Sequence, residues 1–200
     1  AALTCWTILG LVTFVAVANR ELVDRRLVLP IVLSPAAFLC LVAGQSSLIT
    51  TAMMIAAFAC LDRRPVLAGA LIGLLTVKPQ LGILFPVMLV ASERWRVFTA
   101  ATVTALAVPP ITALVFGPKV WADFVFKGIP TQNLVLRDPG LLGAPFMPTV
   151  FMNARQAGAS YETAMAIQAA VALLGASAVA YAYRYRRQHD PQLLMALFFA

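Results

Sequence analysis

Charge is what this chain lacks most. Asp, Glu, Lys and Arg make up only 12% of its 200 residues, against about 25% in a soluble domain. Acids are the scarcer sign, eight in all, and no cluster of them suggests a metal site, so neither a metal nor another cofactor is expected. The single histidine, His189, lies in a basic stretch beside Arg186 and Arg187 and reads as a solvated loop residue. There is no glycine-rich phosphate loop and no other motif of soluble chemistry. Cysteine is equally sparse. Cys5, Cys40 and Cys60 all fall in apolar runs without metal-ligand spacing or a disulfide framework, so core packing is the role expected of each.

What is present is apolar sequence, 62% of residues, with a mean hydropathy of +0.89. That is the composition of an integral membrane protein. The formal charge of +7 would raise the question of nucleic acid, but the basic residues come as short clusters between apolar runs. This is the pattern of membrane loops, and no nucleic-acid partner is expected. The chain opens without Met and stops inside an apolar run, 193–200, so it reads as a single membrane domain over 1–200, truncated at both ends of a larger multi-pass protein. The first run, 1–18, lacks a basic n-region and a convincing cleavage site, so it is not read as a signal peptide.

The apolar runs are 1–18, 27–43, 47–61, 66–77, 81–91, 97–116 and 164–183, with another beginning near 192. A spanning helix needs about 17–25 residues. Runs 1–18, 27–43, 97–116 and 164–183 qualify, with a bend expected in the second from Pro30 and Pro35. Runs 66–77 and 81–91 are too short. At about 1.5 Å per residue each covers only about 17–18 Å of a core about 30 Å thick. They form either one kinked helix with Lys78 in mid-membrane or a hairpin with Lys78 at its tip. The hairpin puts Arg63, Arg64, Arg94 and Arg96 on one side, as the positive-inside rule favours, and it is the arrangement adopted. Loops 19–26, 62–65, 92–96 and 184–190 are then cytoplasmic. The Gly44-Gln45-Ser46-Ser47 turn, the Lys78-Pro79-Gln80 tip and the connection 117–163 face outward.

The Val77-Lys78-Pro79-Gln80-Leu81 stretch is the chief functional candidate. A lysine between apolar runs is costly at membrane depth, and proline breaks the helix beside it. Broken backbone at that depth survives where it is buried or lines a polar cavity. The bland alternative is a helix-end lysine reaching back to the headgroups. The Gly44-Gln45 turn emerges on the same face one helical hairpin away, so Gln45 and Lys78 are expected to share a pocket. In the long connection, Trp121, Phe124, Val125 and Phe126 with Lys119, Asp123 and Lys127 suit a short helix in the membrane interface. Turns are expected around Gly128, Pro130, Asp138-Pro139-Gly140, Pro145 and Pro148.

Three stretches carry a resemblance: Gly44-Gln45-Ser46-Ser47-Leu48; Ala68-Gly69-Ala70 leading through Gly73-Leu74-Leu75 to Lys78-Pro79-Gln80; and Arg94-Trp95-Arg96. Trp121 after a Gly-Pro turn, and Met147-Pro148-Thr149 followed by Arg155, add to it. Over about residues 40–183 the chain resembles glycosyltransferase family 87, a bacterial group of GT-C type membrane enzymes. The resemblance implies an all-α, multi-pass transmembrane helix bundle with a long outer loop carrying short interfacial helices. It implies sugar transfer, often of mannose, on the outer face of the bacterial plasma membrane. The donor would be a polyprenyl-phosphate sugar and the acceptor a lipid-linked glycan or glycolipid. It also implies an acidic general base in an early outer loop. No residue here matches that position, Asp123 and Asp138 included, and the base is expected N-terminal to this segment.

The residues themselves agree with that chemistry. Leaving of a lipid phosphate calls for charge stabilisation, which a lysine ammonium supplies. Lys78 is therefore the expected donor-phosphate contact. Gln45 and Gln80 can hold sugar hydroxyls or phosphate oxygens. Arg137 and Arg155 are secondary phosphate contacts, with binding of surface lipid as their plainer role. A secondary transporter also has broken helices and polar groups at depth, but no internal repeat is present and the polar turns lie toward one face. A non-catalytic assembly subunit would have no need of a lysine between apolar runs.

Overall fold

The computed structural model describes residues 2–22, 24–138, 140, 147 and 149–185. His189, Arg186 and Arg187, the run from 192, and Pro139, Pro145 and Pro148 lie outside the described residues. Among those described, every regular element is helical. Three helices are long and apolar enough to cross a membrane: α1 (Ala2–Glu21), α8 (Trp95–Phe116) and α12 (Tyr161–Tyr185). The pair Arg25–Val32 and Pro35–Val42 passes the same test only when taken together, with a bend of 56° between its halves, as in a broken span or a re-entrant loop. The protein is thus all-α and multi-pass. The bend falls at Leu33-Ser34, where Ser34 is extended and its hydroxyl accepts from Ala37 N–H at 3.2 Å. Pro35 enters as the first residue of α3 (Pro35–Val42), where its missing N–H leaves no bond unmade. Pro30 is carried inside α2 (Val28–Val32).

The chain divides into two compact units, 1–106 and 107–200. In the first, α1 packs along α4 (Ser47–Cys60), with Gly10 against Leu48 and Ile49. Phe14, Ala18, Val28, Leu48 and Ala52 form the core between them. Cys40 and Cys60 are half-buried, but Cys5 is exposed on α1, so it does not pack in the core. Its neighbours Leu3, Ile8, Leu9 and Val12 are exposed too, as a lipid-facing side of a spanning helix should be.

The two short runs form the hairpin. Its ascending limb is α5 (Pro65–Leu74), tightened by a 3-10 turn over Leu75–Val77. Its descending limb is α6 (Pro79–Gly82) and α7 (Phe85–Ala91), with a Pro in the first turn of each. The base is closed by Arg94, which donates through both terminal nitrogens to the Asp62 carboxylate, Nη2 to Oδ2 at 3.3 Å. One continuous helix over 65–91 would hold those ends about 40 Å apart. Phe58 and Phe85 pack with their rings tilted at 41°, centroids 5.6 Å apart. The ascending limb lies directly on α8. A methyl group at Gly69 would meet the Val97 carbonyl oxygen at 2.5 Å, and one at Gly73 the Ala101 carbonyl oxygen at 2.6 Å. These two glycines, four apart, let the backbones touch, as small residues do between membrane helices.

In the second unit, α9 (Lys119–Asp123), a wide π-type turn (Phe124–Gly128) and α10 (Ile129–Arg137) run on as one helical stretch. This departs from the turn expected at Gly128 and Pro130. The wide turn hands the Ile129 N–H to Phe124 O, five residues back, and Pro130 enters within the first turn of α10, where no donor is needed. Lys119, Asp123, Lys127 and Thr131 recur every four residues, with a Lys127–Asp123 ion pair of 2.7 Å. Val120, Phe124, Val125, Phe126 and Ile129 are exposed. The Trp121 indole donates to Pro109 O at 3.1 Å and Thr112 Oγ1 at 3.0 Å, folding α9 against the chain before it. Beyond, α11 (Val150–Gln156) packs on α12 through Phe151, Met152 and Ala164.

Candidate functional site

Gly44 and Lys78 each end a helix, and each ends it for a reason written in the local sequence. Helix α3 closes in a left-handed turn at Gly44, φ 62°. There Gln45 N–H donates to Cys40 O at 2.9 Å and Gly44 N–H to Leu41 O at 3.2 Å. That is the Schellman pattern, in which glycine avoids the penalty of a side chain at positive φ. At the other turn, Lys78 precedes a proline, so helical backbone is disfavoured at it. It takes φ −135°, ψ 79°, and the chain changes direction there.

The two turns meet. Lys78 Nζ donates to Ser47 Oγ at 3.2 Å across 31 residues of sequence, and Ser47 Oγ donates to Gln45 Oε1 at 3.1 Å. Gln45 and Lys78 are thus neighbours, joined through Ser47 by a hydrogen-bonded chain. Ser47, a residue of the Gly-Gln turn with no role expected of its hydroxyl, is its middle link. Its signal was a hydroxyl residue at the start of a helix directly after the Gly-Gln turn. Gln80 stands exposed in the first turn of α6, two residues beyond Lys78 and outside this chain of bonds.

The electrostatics of this corner are one-sided. Lys78 is half-buried, and among the described residues no carboxylate lies within ion-pair distance of it. Among the described residues its one hydrogen-bond partner is a neutral hydroxyl, while an ammonium carries three donors. Ser47 also opens α4, and the cap residue Ser46 makes no side-chain bond to the first-turn N–H groups. Those unbonded donors are the positive pole of a 14-residue helix. An uncompensated ammonium beside an uncapped helix start is suited to an anion, phosphate above all.

Behind the tip lies a cavity of about 250 Å³ between the hairpin limbs and α8. Leu75, Thr76, Pro79, Gly82, Phe85 and Ala105 are among its lining.

Arg137 and Arg155 come together in the second unit, engaged with that unit's own groups. Arg155 donates to Ala159 O at 2.7 Å and Arg137 O at 2.9 Å, tying α10 to the loop before α12. The Arg137 guanidinium lies over the Tyr161 ring, 5.3 Å from its centre. The two acids of this region are likewise engaged, Asp123 by Lys127 and Asp138 by the Gly140 N–H at 2.9 Å. No group of three or more metal-ligating side chains occurs among the described residues.

Neither curated proteins nor solved structures returned a match. A family model does match, that of glycosyltransferase family 87, and it runs over residues 1–200, through both polar turns and the hairpin that joins them. With its apolar spans, this chain therefore belongs to glycosyltransferase family 87 and is a membrane glycosyltransferase.

Proposed function

We propose that the protein transfers a hexose, mannose in the first instance, from a polyprenyl-phosphate sugar to a lipid-linked glycan or glycolipid on the outer face of the bacterial plasma membrane. In this reading Lys78 holds the donor phosphate and stabilises the charge that grows on it as the glycosidic bond breaks. Gln45 and Gln80 hold sugar hydroxyls or phosphate oxygens, and Ser47 aims the ammonium. Arg137 and Arg155 are secondary phosphate contacts, Arg155 acting mainly by holding the Arg137 backbone in place. The observation that carries the proposal is the Lys78–Ser47–Gln45 chain, a cation with a neutral partner set beside a helix start.

Membranes holding the full-length protein, incubated with polyprenyl-phosphate mannose, should yield a mannosylated lipid. Mannose transfer from a nucleotide sugar alone, and none from the lipid donor, would overturn the proposal. Orientation has its own test. With native cysteines replaced, a membrane-impermeant thiol reagent added outside should label a cysteine at Lys119 and not one at Ser92. Labelling of both would reject the outward placement of the tip.

A further inference from the structure

The two limbs of the hairpin are held unequally. The ascending limb is pressed against α8 at Gly69 and Gly73, where an added methyl group would meet backbone oxygen at 2.5 and 2.6 Å. The α7 part of the descending limb is fixed as well, with Phe85, Met88 and Leu89 fully buried. The stretch between them, 79–84, is not held in this way. Pro79, Gln80 and Ile83 are exposed, and a methyl group at Gly82 would meet only Leu75 Cβ, at 3.9 Å. Helix α6 ends at Gly82 and α7 opens at Phe85. Pro86 has no N–H, so the Gly82 carbonyl cannot take the usual donor four residues on. The cavity of about 250 Å³ separates this tip from α8, lined by Pro79, Gly82 and Ile83 of the one and by Phe98, Ala101 and Ala105 of the other. Its two threonine hydroxyls, of Thr76 and Thr102, each donate to their own helix backbone, at Gly73 O and Phe98 O. Such an apolar space lowers stability in proportion to its volume, and closing it replaces void with packing contacts.

Charge opposes that closure. Lys78 leads directly into the tip, and among the described residues its ammonium is met by a hydroxyl and by no carboxylate. Moving the tip toward α8 draws an uncompensated cation toward apolar surroundings, which is costly. A phosphate on Lys78 neutralises the cation and removes that cost. We propose that residues 79–84 are a closing element: binding of the donor's phosphate headgroup at Lys78 lets the tip settle across the cavity onto α8. The headgroup favours the closed tip through its greater affinity for it, and the drier surroundings strengthen the attraction between ammonium and phosphate. This inference rests on the assignment of Lys78 to the donor phosphate.

Two cysteine pairs read the position of the tip, in the full-length protein in vesicles with native cysteines replaced. Leu75→Cys with Gly82→Cys already has the Cβ separation of a disulfide, 3.9 Å against about 3.5–4.5 Å, so its oxidation reports the open tip. Gly82→Cys with Ala105→Cys joins the two elements that the cavity separates, and reports the closed tip. Polyprenyl-phosphate mannose should slow bridging of the first pair and speed that of the second, each by at least about fivefold, the lower end of usual coupling. Once bridged, the first pair should also lose most of its transfer activity and regain it on reduction. The reduced molecule is the control for loss of the Leu75 side chain. Bridging rates indifferent to donor in both pairs, or full transfer by the bridged first pair, would overturn the closing element. An equal shift from phosphatidylglycerol alone would assign the trigger to bulk lipid and overturn its coupling to the donor. Lys78→Gln separates this inference from the reading beneath it. An inactive Lys78→Gln, alongside pairs that ignore the donor, would remove the closing element alone. Full activity of Lys78→Gln would remove the phosphate assignment and the trigger with it.

Discussion

The hairpin at residues 65–91 has a cation at each end, and the two ends differ in one respect. At the base, Arg94 is largely buried, 17% exposed, and is met by the Asp62 carboxylate through two parallel bonds. At the tip, Lys78 is met by a serine hydroxyl. A bidentate arginine–carboxylate pair is a closed unit that fixes where two segments join. An ammonium with a neutral partner keeps both its charge and two of its donors available. The base is built to hold the hairpin shut, and the donors left at the tip are what the proposed anion role would use. Arg155 belongs with the base in this respect, since backbone carbonyls occupy its terminal nitrogens.

Four substitutions would break or sharpen that contrast. The largest effect is expected at Lys78. Lys78→Gln keeps the length and a donor but removes the charge, and kcat should fall by about 10²–10³, or roughly 3–4 kcal/mol. Lys78→Arg should retain more, since it keeps the charge while changing its geometry. Abundance in the membrane should not fall, because removing a charge does not hinder insertion. Transfer from a polyprenyl-phosphate sugar, normalised to folded protein, decides it. Near wild-type rates for Lys78→Gln would make the tip lysine a headgroup anchor and erase the difference between the two ends.

Next in size is the seam that supports the tip. Gly69→Leu forces a side chain into the α8 backbone, and overpacking of this kind costs about 1–3 kcal/mol. Thermal unfolding in detergent should move to lower temperature, and an unshifted midpoint would deny the close approach of α5 and α8.

Ser47→Ala removes the hydroxyl that orients Lys78 while leaving the charge. A hydrogen bond is worth about 1 kcal/mol, so transfer should slow only about fivefold. A loss as large as that of Lys78→Gln would place Ser47 itself in contact with substrate. The smallest effect is expected at the base. The Asp62 side chain is 80% exposed, and exposed pairs contribute about 1 kcal/mol or less. Asp62→Asn should lower stability within that limit and leave turnover per folded molecule unchanged. A large loss of turnover there would mean that the base, too, belongs to the reaction.

Much of this was legible along the chain. The spans follow from run length, the bend at 33–34 from the two prolines near it, and the hairpin from the arginines at 63, 64, 94 and 96. Gln45 and Lys78 stood out as polar residues interrupting apolar sequence. Less legible were features whose meaning depends on a distant partner. Gly69 and Gly73 were visible as glycines, but their close fit against Val97 and Ala101 was not. Pro130 reads as a turn residue until the π-type turn before it carries the helix onward. Arg155 reads as a phosphate contact until the carbonyls of Ala159 and Arg137 are seen to hold it.

The sequence alone determined the membrane class, the helices and the position of the break at Lys78-Pro79. Partitioning of apolar runs and loss of a backbone donor at proline are local effects, summed residue by residue. Only the tertiary structure decided which cation is compensated and which is not. Asp62 and Arg94 lie 32 residues apart, and Ser47 and Lys78 lie 31 apart. Coulombic and hydrogen-bonding partners are chosen by distance in space, and the packing of α4, the hairpin and α8 sets those distances.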